Sequence, residues 1–142
     1  MNDEIRRKIN EHIQKDPFAA RLGARVEIPA PGSSRVFLTI TDEMTNFHNT
    51  AHGGVIFSLS DIAFAAASNS HGQTAVALNV DINFLKAARS GDQLVAEATE
   101  VCAGKRTAVY DITVKDANTG ELVAKTQNLV YRKNEWFVPQ EK

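Results

Sequence analysis

"FHNTAHGGVIFSLSDIAFAAASNS", residues 47–70, decides the fold. From Val55 onward apolar and small residues run almost unbroken, which predicts a helix over residues 53–70 that is buried on most sides. Two features do not suit a plain core helix. It opens on Gly53 and Gly54, and it carries one carboxylate, Asp61, in the middle of the run.

The sequence on either side predicts what wraps such a helix. After it, Val76, Leu78, Val80, Ile82 and Phe84 alternate, placing one apolar face on a long strand. "ARSGD" turns the chain, residues 93–102 form a strand, "AGK" turns again, and Ala108, Tyr110, Ile112 and Val114 alternate. "DANTGE" is a third turn, and residues 121–133 give the last strand. Before the helix, Ile5, Ile9 and Ile13 make one apolar stripe on an amphipathic helix over residues 3–15. In "DPFAARLG", Asp16 caps a short turn, Pro17 suits its first position and Gly23 ends it. Residues 24–28 and 36–40 alternate around "PAPGSS", which reads as a hairpin. Residues 43–52 are a polar loop. The layout is a helical start, two strands, one long helix and then strands joined by three turns in an antiparallel meander, an α+β class. A long twisted sheet that curls round the single helix is the simplest way to bury it.

Composition bounds the rest. A chain of 142 residues favours one domain over 1–142. Hydrophobic residues make up 43%, too many for a disordered chain. A net charge of −1 leaves no electrostatic footprint for nucleic acid. No apolar stretch approaches the ~18 residues of a membrane span, and "MNDEIRRKIN" has no apolar core, so no signal peptide and no membrane partner are expected. Cys102 is the one cysteine. It excludes an internal disulfide and is expected to be a reduced thiol in the cytoplasm.

The first N–H groups of a helix lack internal partners, and the helix dipole adds positive potential there. Glycine lets a ligand approach that backbone closely. Gly53 and Gly54 therefore suit an anion or a developing oxyanion, although alone they read first as a tight turn or a close-packed helix start. Asp61 has Phe57, Ser58, Phe64 and Ala65 as helical neighbours, and only Ser58 is polar. It is a desolvated base with a raised pKa, or it faces water on an exposed strip, or it caps a helix that begins later. Asp61 follows Gly53 by eight residues, about 12 Å along a helix. A general base must lie within about 3 Å of its proton or act through one water. If both groups are catalytic, a second copy with its helix antiparallel must bring its Asp61 to Gly53, which makes a symmetric dimer. In the preceding loop, Asn46 can orient a water or a carbonyl. His52 can donate to a carbonyl or hold the loop by bonding backbone. Each also reads as ordinary loop polarity. His48 and His52 lack a third ligand, so no metal site is expected.

Residues 46–70 resemble the hotdog-fold acyl-CoA thioesterases, and within them the phenylacetic acid degradation subgroup. The likeness extends to "VDINFLKAARSGDQLVAEA" at 80–98 and "GKRTAVYDITV" at 104–114, and so to most of the chain after residue 16. The resemblance implies a curved antiparallel sheet round a central helix, dimers with a continuous sheet, and usually tetramers. It implies that the Gly53 N–H polarises the thioester carbonyl, that Asp61 of the other subunit is the catalytic carboxylate, and that Asn46 and His52 position thioester and water. Gly54, Asn79, Lys86, Arg89, Lys105 and Arg106 join as substrate contacts, the four cations meeting coenzyme A phosphates. No cofactor is implied, since the CoA thioester is the substrate. Small aromatic acyl groups such as phenylacetyl are expected first, then medium-chain ones. Ala87 departs from the proline of many relatives. Two rivals stay open: a hotdog dehydratase or hydratase using His52 and Asp61, and a non-catalytic acyl-CoA binding module.

Overall fold

The computed structural model describes residues 1–139. Helix α1 (Asp3–Ile13) starts at Asn2, whose side chain accepts from the Ile5 N–H at 2.8 Å. Its stripe turns inward as the spacing requires, with Ile9 buried and Ile5 and Ile13 half-buried. Helix α2 (Pro17–Leu22) is capped by Asp16, which accepts from Phe18 and Ala19 N–H at 3.0 and 3.1 Å. Gly23 ends it with φ 86°, a left-handed conformation that favours glycine.

Strands β1 (Arg25–Glu27) and β2 (Ser33–Thr39) form the expected hairpin, with Val26 opposite Val36. Strands β4 (Gln93–Ala103), β5 (Thr107–Asp116) and β6 (Leu122–Trp136) form the meander. Strand β3 (Gln73–Phe84) does not pair with β4, although only "ARSGD" and its flanks separate them. It lies at the far edge against β6, giving the order β1-β2-β4-β5-β6-β3, antiparallel throughout. Strand order depends on tertiary pairing, which local alternation does not encode.

The single apolar face expected on β3 is corrected by a bulge. Ala77 pairs with Val130 and Asn79 with Leu129, so Leu78 is an extra residue that flips the alternation. Val80, Ile82 and Phe84 stand opposite the inward Asn128, Thr126 and Ala124, whereas Val76 stands opposite Tyr131 on the other face. As an outer strand β3 leaves Leu78 56% and Phe84 54% exposed in the single chain.

Helix α3 (Gly53–Asn69) lies chiefly across β2, β4 and β5. Ala63, Ala66 and Ala67 are buried and small, which brings helix and sheet close. The buried Ser34 Oγ of β2 donates to the Ala63 carbonyl at 2.6 Å. Leu59 and Phe64 are sealed in one core with Val36, Tyr110 and Ile112, the Phe64 and Tyr110 rings meeting edge-on with centroids 5.8 Å apart. Truncating such a side chain to alanine typically costs about 2–5 kcal/mol. The helix is not buried all round, however. Gly54, Phe57 and Ala65 are exposed and Asp61 is half-exposed. These residues are three or four apart, so they form one stripe on one face.

Beyond the helix C-terminus, Glu100 of β4 accepts from Tyr110 OH at 2.7 Å and meets His71 Nε2 at 2.8 Å. Burial raises the Glu100 pKa, but the hydrogen bonds from Tyr110 and His71 and the charges of His71 and Arg132 outweigh it, leaving the group below its ordinary 4.5. A carboxyl depressed in the folded state stabilises above its unfolded pKa and loses that contribution as pH falls through the folded one. Glu100→Gln should therefore lower the urea midpoint at pH 7 and narrow the drop in midpoint between pH 7 and pH 3.

Candidate active site

The loop before α3 is pinched shut by a Thr45–Ala51 bridge and by Asn46 N–H donating to Thr50 O at 2.8 Å. The Asn46 side-chain oxygen is spent inside the loop. It accepts from His48 N–H at 2.9 Å, Thr50 N–H at 3.3 Å and Thr50 Oγ1 at 3.2 Å. The Asn46 amide NH2 is the part left to meet a ligand, so it offers a donor. Asn49 takes φ 63°, a conformation that asparagine tolerates better than most residues.

The two glycines have different reasons to be there. His52 caps the helix, its Nδ1 accepting from Gly54 N–H at 3.0 Å. A Cβ on Gly54 would lie 3.2 Å from that nitrogen, so a larger residue would push the imidazole off its bond. Because Nδ1 accepts, the ring proton sits on Nε2, which leaves His52 one outward donor. Gly53 is one residue earlier, and its N–H donates to no group among the described residues. A Cβ there would stand 3.6 Å from the Phe84 ring, an ordinary contact. Packing permits a side chain at Gly53, so its absence keeps the free N–H approachable. A cleft of about 340 Å³ opens there, lined by Gly53, Ile56, Phe84, Leu85 and Lys86.

Asp61 lies two turns further on. Ser58, its one polar helical neighbour, donates instead to Gly54 O at 2.7 Å. Burial, and secondarily the negative charge of Asp16, push the Asp61 pKa above its ordinary 3.8. Asp16 was legible as a helix cap, but nothing in the sequence links residue 16 to residue 61. Phe84 was legible as a strand residue, but not as the ring beside Gly53.

The other expected contacts disperse. Asn79 pairs with the outward Leu129, so the bulge turns it to the sheet face away from α3. It does not join Gly53 or Asp61 in this chain. Lys86 pairs with Glu121 and borders the Gly53 cleft. Arg89 is exposed in the loop after β3. Lys105 and Arg106 sit at the β4–β5 turn, with Arg106 Nη1 3.4 Å from Tyr131 OH. Lys86 N–H bonds Val123 O, eight residues along β6 from Tyr131, a separation of about 25 Å. One chain therefore carries two cationic groups, not one cluster. Among the described residues no three His, Cys, Asp or Glu side chains gather as metal ligands, and no helix is long and apolar enough to cross a membrane.

Comparison with known proteins gives this geometry a context. The model of the thioesterase superfamily matches residues 48–123. Escherichia coli acyl-coenzyme A thioesterase PaaI is 43% identical over 101 residues, 71% of this chain and 72% of that one. The solved structure of the E. coli PaaI protein from the phenylacetic acid degradation operon is 34% identical with TM-score 0.87, covering 93% of this chain and 98% of that one. A Streptococcus mutans protein solved bound to acetyl CoA is 31% identical with TM-score 0.75, covering 80% and 90%. The helix that opens on two glycines lies inside the matched span, with the sheet curled round it as in these structures. The chain belongs to the thioesterase superfamily, as a thioester hydrolase on the hotdog fold.

Proposed function

We propose that this chain hydrolyses an acyl-CoA to the free acid and CoA, at sites each shared by two copies. The observation that carries the reading is the Gly53 N–H at the start of α3, unpartnered among the described residues, beside a second N–H already capped by His52. The thioester carbonyl points at Gly53, where the N–H and the helix dipole stabilise the oxyanion. The His52 Nε2–H and the Asn46 amide donate to the carbonyl or to the attacking water. Asp61 of the second copy takes the proton of that water as it adds to the carbonyl carbon, or attacks directly to give a mixed anhydride that water then hydrolyses to the free acid, regenerating the carboxylate. Collapse of the tetrahedral intermediate expels the CoA thiolate, a good leaving group because a thiol pKa is only about 8.5.

Two surfaces support the second copy. The exposed stripe of α3 bears Asp61 and the 38% exposed Phe57, and β3 offers an apolar outer edge with Leu78 and Phe84. An edge of that kind is a template for pairing with another chain. Antiparallel pairing about a two-fold axis brings the Lys105–Arg106 end of one chain alongside the Lys86–Arg89 end of the other, which gathers cations for coenzyme A phosphates. A homotetramer and a cytoplasmic location complete the proposal, with phenylacetyl the first acyl group to try and medium-chain acyl groups next. Thiol release from an acyl-CoA panel tests the reading. The acid limb of kcat/KM should fall at a pKa above 3.8, because burial and Asp16 favour protonated Asp61 and a protonated carboxyl cannot act as base. Enoyl-CoA hydration without thiol release would overturn the proposal in favour of a hydratase.

A further inference from the structure

Two polar side chains of β6, Thr126 and Asn128, are sealed in the core at 1% exposure each. The Thr126 Oγ1 and both ends of the Asn128 amide, Nδ2 and Oδ1, have no hydrogen-bond partner among the described residues. Burying such groups unpaired is costly, and native proteins pair nearly all of them. The two residues are two apart on one strand, so they point to the same face. It is the inner face, shared with the buried Ala124 and Val130. Their neighbours across the sheet offer no remedy. Thr126 lies between Ile112 of β5 and Ile82 of β3, and Asn128 between Tyr110 of β5 and Val80 of β3. Of these four only Tyr110 has a polar tip, and its hydroxyl donates to Glu100 at 2.7 Å.

We propose that Thr126 and Asn128 hold an ordered internal water. Size and reach select this occupant. At 1% exposure in a single chain, both side chains lie beyond the reach of a coenzyme, an acyl group or a second copy. Neither residue lines the Gly53 cleft, so the site is separate from the candidate active site. Inward residues two apart on a strand have Cα atoms about 7 Å apart, and a water joins polar atoms about 5.6 Å apart through two hydrogen bonds. The chemistry matches as well. The Asn128 amide nitrogen donates to the water, and the water donates to Thr126 Oγ1, which can both accept and give a hydrogen. With Asn128 Oδ1 the site offers three polar atoms, in line with the about two to four contacts that a buried water makes.

Thr126→Val tests the site because it removes the hydroxyl and keeps the shape. If a water is held, the substitution strips it of a contact and leaves Asn128 poorly served. The melting temperature should then fall by about 3 °C or more. If no water is held, the same change only deletes an unpaired buried hydroxyl, and the melting temperature should stay or rise. That second result overturns the proposal. A high-resolution crystal structure gives the direct readout. A water peak should stand within about 3.2 Å of both Thr126 Oγ1 and the Asn128 amide, and it should weaken or vanish in Thr126→Val. The wild-type peak serves by itself if the valine variant does not fold. No peak at that place in the wild type overturns the site, whatever the melting temperatures show.

Discussion

Asp61→Asn should lower kcat by about 100- to 10,000-fold, the range expected for losing a positioned base, while Kd for CoA stays within about twofold of wild type because uniform binding is untouched. The amide has nearly the same shape as the carboxyl and cannot take a proton from water. Stability should move the other way. A carboxyl whose folded pKa is raised favours the folded state fully below its unfolded value, and that contribution is lost as pH rises through the folded pKa. At pH 7 an ionised Asp61 therefore costs the fold something, since burial and Asp16 both oppose its charge. The asparagine variant should melt at or above the wild-type temperature at pH 7 and lose that advantage near pH 4. Stability sacrificed for activity is the mark of a functional group rather than a structural one. Unchanged turnover would remove Asp61 from the chemistry.

Gly53→Pro should cost about 100- to 1000-fold in kcat, as expected for deleting one oxyanion donor, with little loss of fold. Three local facts make proline tolerable. Position 53 is the first of the helix, where proline is well accommodated. His52 has φ −59° and ψ 136°, the conformation that a residue before proline prefers. The deleted N–H bonds no group among the described residues, and Phe84 stands at contact distance rather than in collision. Circular dichroism should match wild type while thiol release collapses. Mixing Gly53→Pro chains with Asp61→Asn chains then tests the shared site. In each heterodimer one site carries both lesions and the other carries neither, so activity should return to about half that of the intact dimer per heterodimer. Confirmed heterodimers without activity would show that Gly53 and Asp61 do not serve one site across two chains.

Much of this was legible in the sequence because it is local. The cap at Asp16, the helix end at Gly23, the β1–β2 hairpin and the start of α3 each depend on a few neighbouring residues. The pair of glycines and the lone Asp61 were visible as oddities for the same reason: they break a short apolar pattern. What each glycine does was not legible. Gly54 is small because the His52 ring must reach its N–H, and Gly53 because its own N–H must stay open.

The sequence by itself determined the elements and their class, since hydrophobic period and capping act within one helix or strand. It also determined that a carboxylate and a free helix start lie too far apart to meet in one chain, because helix rise is constant. Only the tertiary structure decided that β3 crosses to the far side of the sheet, that Leu78 bulges and turns Asn79 outward, and that Asp16 stands near Asp61. Those outcomes depend on which distant segments pair and pack, and pairing partners far apart in the chain leave no periodic trace in either one.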